Sequence, residues 1–246
     1  MVLFFLFSTL GMGQNTFHFK QFSVKQDRCA MKVNTDGVLL GTWASGRGAA
    51  RILDIGTGTG VIALMMAQQN NEAKITAIDI DEKAYLQAKE NFAASLWNKN
   101  LVAQHIGLQN FSNETKFDVI ISNPPYFIQD YKTEDEAKNV AKHSTALSYD
   151  ELLEGINRLL SDNGKAFLII PIFNLPLLQT KAENLEIYLT KLTEVTAVES
   201  KPPYVVLIQL ERERREVVKS HLLIQKATGE FTQEYKELTK EYYLKF

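Results

Sequence analysis

Three groups of residues in this 246-residue chain have the types and spacing to do chemistry. The first is Asn123-Pro124-Pro125-Tyr126, which directly follows the apolar run Phe117 to Ile121. The Asn123 side-chain oxygen and the Pro124 carbonyl are hydrogen-bond acceptors, and Tyr126 offers an aromatic face. Together they suit a planar NH₂ group, whose two N–H bonds the acceptors take while its plane stacks on the ring. Such a nitrogen is a poor nucleophile because its lone pair is delocalised. Accepting both N–H groups lets it pyramidalise and localise that pair. The prolines fix φ, so the carbonyl is held still before a substrate arrives. Stacking on a nucleobase contributes about 1–3 kcal/mol. The plainer alternative is a proline turn that merely ends a strand, and the glycine-rich turn upstream argues against it.

The second group is Asp54-Ile-Gly56-Thr-Gly58-Thr-Gly60, between Ile52-Leu53 and the helical spacing of Val61 to Gln68. Glycine allows a tight turn and a close ligand approach with no Cβ in the way. Asp54 stands at the carboxyl end of its strand, where open α/β sheets place ligands. A dinucleotide fingerprint would need glycine at position 61, where the chain has Val61. The pattern resembles motif I of the S-adenosylmethionine-dependent methyltransferases, whose ligand has no pyrophosphate. The third group is Asp79, at the end of the predicted strand Lys74 to Asp79 and 19 residues past Gly60. An acid about 20 residues beyond the turn grips a ribose diol. Asp81 is the rival, read more simply as the N-cap of a helix from Glu82 to Trp97.

The elements that must position these groups alternate between strand and helix, which predicts a parallel sheet covered on both faces. A 45% hydrophobic chain of this length builds one sizeable core, and its net charge of −2 gives no global field for a polyanion. The single Cys29 excludes an internal disulfide framework and fits a reducing compartment. No membrane partner and no DNA are expected, and the expected location is cytoplasmic. Met1 to Leu10 is apolar but lacks a basic n-region and a cleavage site, so residues 1–16 are read as a non-core leader with an over-extended start. Residues 17–246 are read as one domain.

Phe17, Phe19, Phe22 and Val24 suggest a short hairpin. Asn34, Thr35 or Asp36 caps a helix over Val38 to Trp43; Thr35 and Asp36 are equally candidates for contact with a cofactor's methionine end. The third strand, Leu101 to Ile106, is followed by His105-Ile-Gly107-Leu108-Gln109, with no acid to read an adenine amino group. Adenine recognition is left to backbone groups near Gly107 and Leu108. Gln129 to Lys142 is a polar excursion, either a solvated loop or a lid, and His143 either touches substrate or caps the next helix. That helix runs from Ser148 to about Leu160, with a stop at Ser161 to Gly164. Then come a strand over Lys165 to Pro171, a helix over Asn174 to Asn184, and closing strands over Leu185 to Val198 and Tyr204 to Leu210. Lys219 to Gln225 is a candidate further strand, and Thr232 to Tyr243 a terminal helix. Arg212, Arg214, Arg215, Lys219 and Lys226 form the densest basic cluster, with interleaved glutamates that make it a solvated face.

The chain resembles the bacterial tRNA N6-adenine methyltransferases that modify valine tRNA beside its anticodon. The likeness is carried by Phe19-Lys-Gln-Phe22, by Gln26 to Gly41, by Ile52 to Gln68, by Ser122-Asn-Pro-Pro-Tyr-Phe127 and by Lys142-His-Ser144. The resemblance implies a Rossmann-like, seven-stranded class I methyltransferase sheet with helices on both faces and a short N-terminal extension. It implies S-adenosylmethionine as cofactor and tRNA as partner, with adenine 37 as target. Transfer from a sulfonium is an in-line displacement with a neutral leaving group, so no strong general base is required. Metal is not expected. The expected catalytic residues are Asn123, Pro124 and Tyr126. The expected cofactor residues are Thr35, Asp36, Asp54, Gly56, Gly58, Gly60, Asp79, Gly107, Leu108 and Asn123. Two other methyltransferase groups use related motifs: protein-glutamine N5 enzymes, which carry a separate helical N-terminal domain, and guanine-N2 rRNA enzymes, which often carry a duplicated one. A binding module without turnover is the non-enzyme alternative, and the intact Asn123 to Tyr126 argues against it.

Overall fold

The computed structural model describes residues 15–125 and 147–245. Tyr126, the Gln129 to Lys142 excursion, His143 and the Met1 to Leu10 segment fall outside them. A hairpin of β1 (Thr16–His18) and β2 (Ser23–Lys25) leads to α1 (Thr35–Trp43). Then follow β3 (Arg51–Ile55), α2 (Val61–Gln69), β4 (Lys74–Asp79), α3 (Glu82–Ala93), β5 (Leu101–His105) and β6 (Phe117–Ser122). The second half is α4 (Tyr149–Leu159), β7 (Leu160–Pro171), α5 (Leu175–Asn184), β8 (Tyr188–Val198), β9 (Val205–Glu211), β10 (Val218–Gln225) and α6 (Gln233–Thr239).

One sheet carries the fold, in the order β10-β8-β9-β7-β6-β3-β4-β5. Strand β9 is antiparallel to β7 and β8, and every other neighbouring pair is parallel. The resemblance implies seven strands, with Lys219 to Gln225 a candidate further one; among the described residues the sheet has eight. The eighth, β10, adds in parallel to the outer edge of β8 because Leu222 and Ile224 bury on one face while Val218 to His221 stay exposed. Strands β3, β6 and β9 read as nearly continuous apolar runs because both faces are covered there. Alternate residues supply two cores: Ile52, Ile75, Val119 and Phe167 pack beneath α1 and α2, while Leu53, Ile78, Ile120 and Leu168 pack against α4 and α5. Helix α2 is buried along Val61 to Ala67 and so is apolar all round, unlike the amphipathic α4.

Three boundaries differ from expectation. Helix α3 stops at Ala93, short of Trp97, in a run of turns. Helix α4 ends at Leu159, and Ser161 to Gly164 belong to β7, whose register against β6 shifts there. Helix α6 ends at Thr239, and Tyr242 turns back so that its carbonyl accepts from the Lys20 amide at 2.9 Å. The chain visits β3, β4 and β5 on one side and then returns to β6 on the other side of β3. That reversal makes a crevice at the carboxyl ends of β3 and β6, the usual ligand position in open α/β sheets.

Candidate active site

Beyond β3 the chain makes its tight turn with Gly56, Gly58 and Gly60 at φ of 70°, 56° and 83°. Those left-handed conformations are strained for any residue with a Cβ. The Gly56 and Thr57 amides both donate to the Ile78 carbonyl, at 2.9 and 3.1 Å, and the Gly60 amide donates to the Thr57 carbonyl at 2.9 Å. A Cβ at Gly60 would lie 2.6 Å from Phe92 of α3, so that glycine permits close packing. At Gly56 and Gly58 a Cβ would meet open space within 4 Å, the room a ligand needs beside the backbone.

Asp54 shares the α1/α2 face of the sheet with Ile52 and is fully buried (0% exposed). Its Oδ2 accepts from the Thr57 hydroxyl at 2.6 Å, while Oδ1 is buried with no hydrogen-bond partner among the described residues. Burial pushes its carboxyl up to about 7 and the nearby Asp79 charge adds to the rise, while the Thr57 hydroxyl and the Ala63 amide pull the other way. An unpaired buried carboxylate oxygen is costly unless something binds it, and a ligand's ammonium group would do so.

Asp79, half-buried at the end of β4, uses both oxygens: Oδ2 accepts from the Gly58 amide and Oδ1 from the Asp81 amide, each at 2.9 Å. Burial raises its carboxyl above the usual range, and those two amides oppose the rise. Each oxygen keeps a lone-pair direction for a hydroxyl donor. Asp81 caps α3 through the Lys83 amide at 2.8 Å, the N-cap role expected of it.

Gly107 and Leu108 follow β5 in a tight turn. The Leu108 side chain is buried against Gly155 of α4, and its carbonyl accepts from Arg158 Nη2 at 2.8 Å. The Gly107 carbonyl accepts from the Asn110 and Phe111 amides at 3.1 and 3.0 Å. Both carbonyls are therefore spent on the turn. The sequence reading misses Ile80, which is 57% exposed immediately after Asp79, with its side chain beside Gly107. A large apolar residue next to a strand-end acid is the signal that could have found it. His105 stacks on Tyr85 at 5.7 Å and meets the Ile80 carbonyl at 3.0 Å, as a strand-end residue would.

The second turn begins at Ser122, whose hydroxyl donates to the Ile55 carbonyl at 2.8 Å and so ties the ends of β6 and β3 together. Asn123 follows, half-buried, with Pro124 buried and Pro125 exposed. No hydrogen bond joins the Asn123 carboxamide to another described residue. Helix α1 meets this turn from above: a Cβ on Gly37 would stand 4.0 Å from Asn123 Nδ2 and 3.8 Å from Val61. Asn34 is the N-cap of α1, accepting from the Gly37 amide at 2.8 Å, so Thr35 and Asp36 lie in its first turn. Asp36 is held by the Tyr204 hydroxyl at 2.9 Å, a partner 168 residues away that local sequence could not reveal. The structure thus brings Asp36, Asp54, Gly56 to Gly60, Asp79 and Asn123 to one crevice.

These features fit S-adenosylmethionine: a buried oxygen without a partner for an ammonium, open space over two glycines, a strand-end carboxylate for a ribose, and an exposed isoleucine for a base. The basic cluster near the C-terminus forms no comparable site. Arg212 binds Asn157 and the Leu160 carbonyl behind α4, Arg214 lies over the Tyr188 ring, and Arg215 pairs with Glu213. Among the described residues no cluster of potential metal ligands occurs, and no helix is long and apolar enough to cross a membrane.

Comparison with known proteins agrees with this geometry. Residues 37–171 match the methyltransferase small domain. In folded shape, a predicted O-methyltransferase from Agrobacterium tumefaciens matches 84% of this chain and 96% of its own at a TM-score of 0.66 and 14% identity. A putative RNA methyltransferase from Pyrococcus horikoshii matches 76% of this chain and 87% of its own, with a TM-score of 0.54 and 15% identity. Those likenesses concern the fold. In sequence, a Bacteroides thetaiotaomicron protein named tRNA1(Val) (adenine(37)-N6)-methyltransferase is 43% identical, over 95% of this chain and 99% of its own. Relatives of the same name from Flavobacterium johnsoniae and Trichodesmium erythraeum are 45% and 40% identical, over 93% and 96% of this chain. With near-complete coverage at such identity, the chain belongs to the tRNA1(Val) (adenine(37)-N6)-methyltransferase family.

Proposed function

We propose that the protein methylates N6 of adenine 37 in valine tRNA. S-adenosylmethionine is the methyl donor. The observation that carries the reading is the Asn123 turn, its carboxamide bound to no other described residue, set beside the glycine turn where β3 pairs with β6. When bound, the cofactor supplies an electrophilic methyl group on a sulfonium, with a neutral thioether as leaving group. Asn123 Oδ1 and the Pro124 carbonyl accept the two N–H bonds of the adenine amino group and favour its pyramidal form, which exists only near the transition state. The rings of Pro124 and Pro125 hold that carbonyl still. Tyr126 stacks on the extruded base, since a nucleotide beside an anticodon must leave its own stack to be reached. Asp79 holds the ribose, Asp54 faces the methionine ammonium from beneath Thr57, and Thr35 and Asp36 line the same end. Ile80 lies under the adenine ring, with the backbone at Gly107 and Leu108 beside it. The reaction is cytoplasmic, where tRNA and cofactor meet.

The test is transfer to unmodified tRNA followed by nucleoside mass spectrometry, with N6-methyladenine at position 37 as the expected product. N2-methylguanine from rRNA, or methyl label confined to a protein, would overturn the substrate while leaving the fold and cofactor intact.

A further inference from the structure

Two carboxamides lie one helical turn apart on the buried face of α3: Gln87 (0% exposed) and Asn91 (2% exposed). Asn91 Oδ1 accepts from the Lys25 amide at 2.9 Å, and Nδ2 donates to the Lys25 carbonyl at 2.9 Å and to the Thr59 carbonyl at 2.8 Å. Both donors of the amide are therefore placed, and two of its three bonds form a closed ring with one residue's backbone. The two partners belong to different parts of the fold. Lys25 ends β2, while Thr59 stands between Gly58 and Gly60 in the glycine turn.

Gln87 repeats the device one turn earlier. Its Oε1 accepts from the Arg28 amide at 3.0 Å, while Nε2 is buried without a partner among the described residues. A methionine there would fill the same space without leaving a donor unpaired. The cost of the unpaired donor is borne for one bond to the backbone of residue 28. Gln26 Oε1 then accepts from the Val33 amide at 3.0 Å and closes the loop between β2 and α1. The ion pairs of Lys25 and Arg28 with Glu90 are partly exposed and add little.

The loop held in this way runs past the carboxyl end of β4. The half-buried Cys29 thiol is close enough to Asp79 and Asp81 to feel both charges, which add to the effect of its burial. The loop then enters α1, whose first turn brings Gly37 to Asn123. We propose that Asn91, seconded by Gln87, is a positioning residue for cofactor binding. It latches the segment 26–34 to the glycine turn, so that the outer wall of the cofactor crevice stands in place before the cofactor arrives. The latch acts through Lys25 and Thr59 and does not touch the reacting atoms. It rests on the reading of the glycine turn as the cofactor site.

Asn91→Leu should raise the calorimetric Kd for S-adenosylhomocysteine, and the KM for S-adenosylmethionine, by about tenfold or more. The kcat at saturating cofactor and the KM for tRNA should stay near wild type. Asn91→Asp keeps the acceptor for the Lys25 amide but loses both donors, so it should bind as weakly as the leucine variant. Gln87→Met should lose about threefold, and it carries the test if Asn91→Leu does not fold. Wild-type cofactor affinity in the folded variants, or a fall in kcat with unchanged affinity, would overturn the latch. Asp79→Ala in the same titration separates the two levels. Normal affinity in that variant overturns the site and the latch with it; weakened Asp79→Ala beside normal Asn91→Leu overturns the latch alone.

Discussion

Two turns face each other where β3 and β6 lie side by side, and they are built on opposite plans. In the glycine turn the amides of Gly56, Thr57, Gly58 and Gly60 and both Asp79 oxygens are already engaged within the protein. Among the described residues the Asn123 turn is tied from behind, through Ser122, and its carboxamide joins none of the others. A cofactor pocket that serves every turnover binds more tightly when its walls are ordered before the ligand enters. A group meant to act in the transition state gains by keeping its acceptor unspent until then. Asp54 Oδ1 is the exception within the ordered turn, a buried atom with no hydrogen-bond partner among the described residues.

The contrast can be broken by substitutions on either side. Asn123→Ala should lower kcat about a thousandfold, a loss of about 4 kcal/mol of transition-state stabilisation, with S-adenosylhomocysteine affinity changed far less. A fully active variant would remove the asparagine from the mechanism. Asp79→Ala should have the converse signature. Cofactor binding falls by about 3 kcal/mol while kcat at saturation holds, because two charge-assisted bonds are lost from the ground-state complex. Calorimetry and steady-state kinetics on one preparation distinguish the two patterns.

Asp54 tests the exception. Its folded-state carboxyl sits at about 7, above the unfolded value, so its contribution to stability is fully present below the unfolded value and is lost as pH rises towards 7. Between pH 5 and pH 7 the cofactor-free protein should lose about 2 kcal/mol relative to Asp54→Asn, measured as the difference between their denaturant curves. Identical pH slopes would show that the buried carboxyl is ordinary. A smaller contrast lies within the turn. Gly58→Ala should cost about 1 kcal/mol of stability for its left-handed φ, and its new methyl enters open space where the ligand belongs, so cofactor affinity falls as well. Gly60→Ala meets Phe92 and should act mainly on stability; thermal shifts with and without S-adenosylhomocysteine separate the two glycines.

Much of this site is legible in the sequence because its strongest signals are local. Strand, glycine turn and helix follow within Arg51 to Gln69, and the Asp79 spacing reflects one βαβ unit. What is not legible depends on distant partners. Nothing near Asp36 announces Tyr204, and nothing in α3 announces that Asn91 reaches both Lys25 and Thr59. The carbonyls of Gly107 and Leu108 look free in sequence but close a turn and bind Arg158 in three dimensions. A helix end is misjudged where turns begin without punctuation, as at Ala93, and the start of β7 is misjudged because Ser161 to Gly164, read as a stop, belong to the strand. The arginine cluster is dispersed by partners on α4 and β8 that composition does not reveal.

The eighth strand has a consequence for how the molecule behaves in a crowded solution. Without β10, the 11 residues of β8 would form the margin of the sheet, carrying Leu189, Leu192 and Val195 beside a long row of unpaired backbone groups. Such a margin is a template for pairing with other chains. Strand β10 covers it along Lys191 to Val198 and presents Lys219, Ser220 and His221 instead, a shorter and more hydrophilic border. Shaving that border away should therefore show itself first as aggregation during expression, before any defect in methyl transfer is seen.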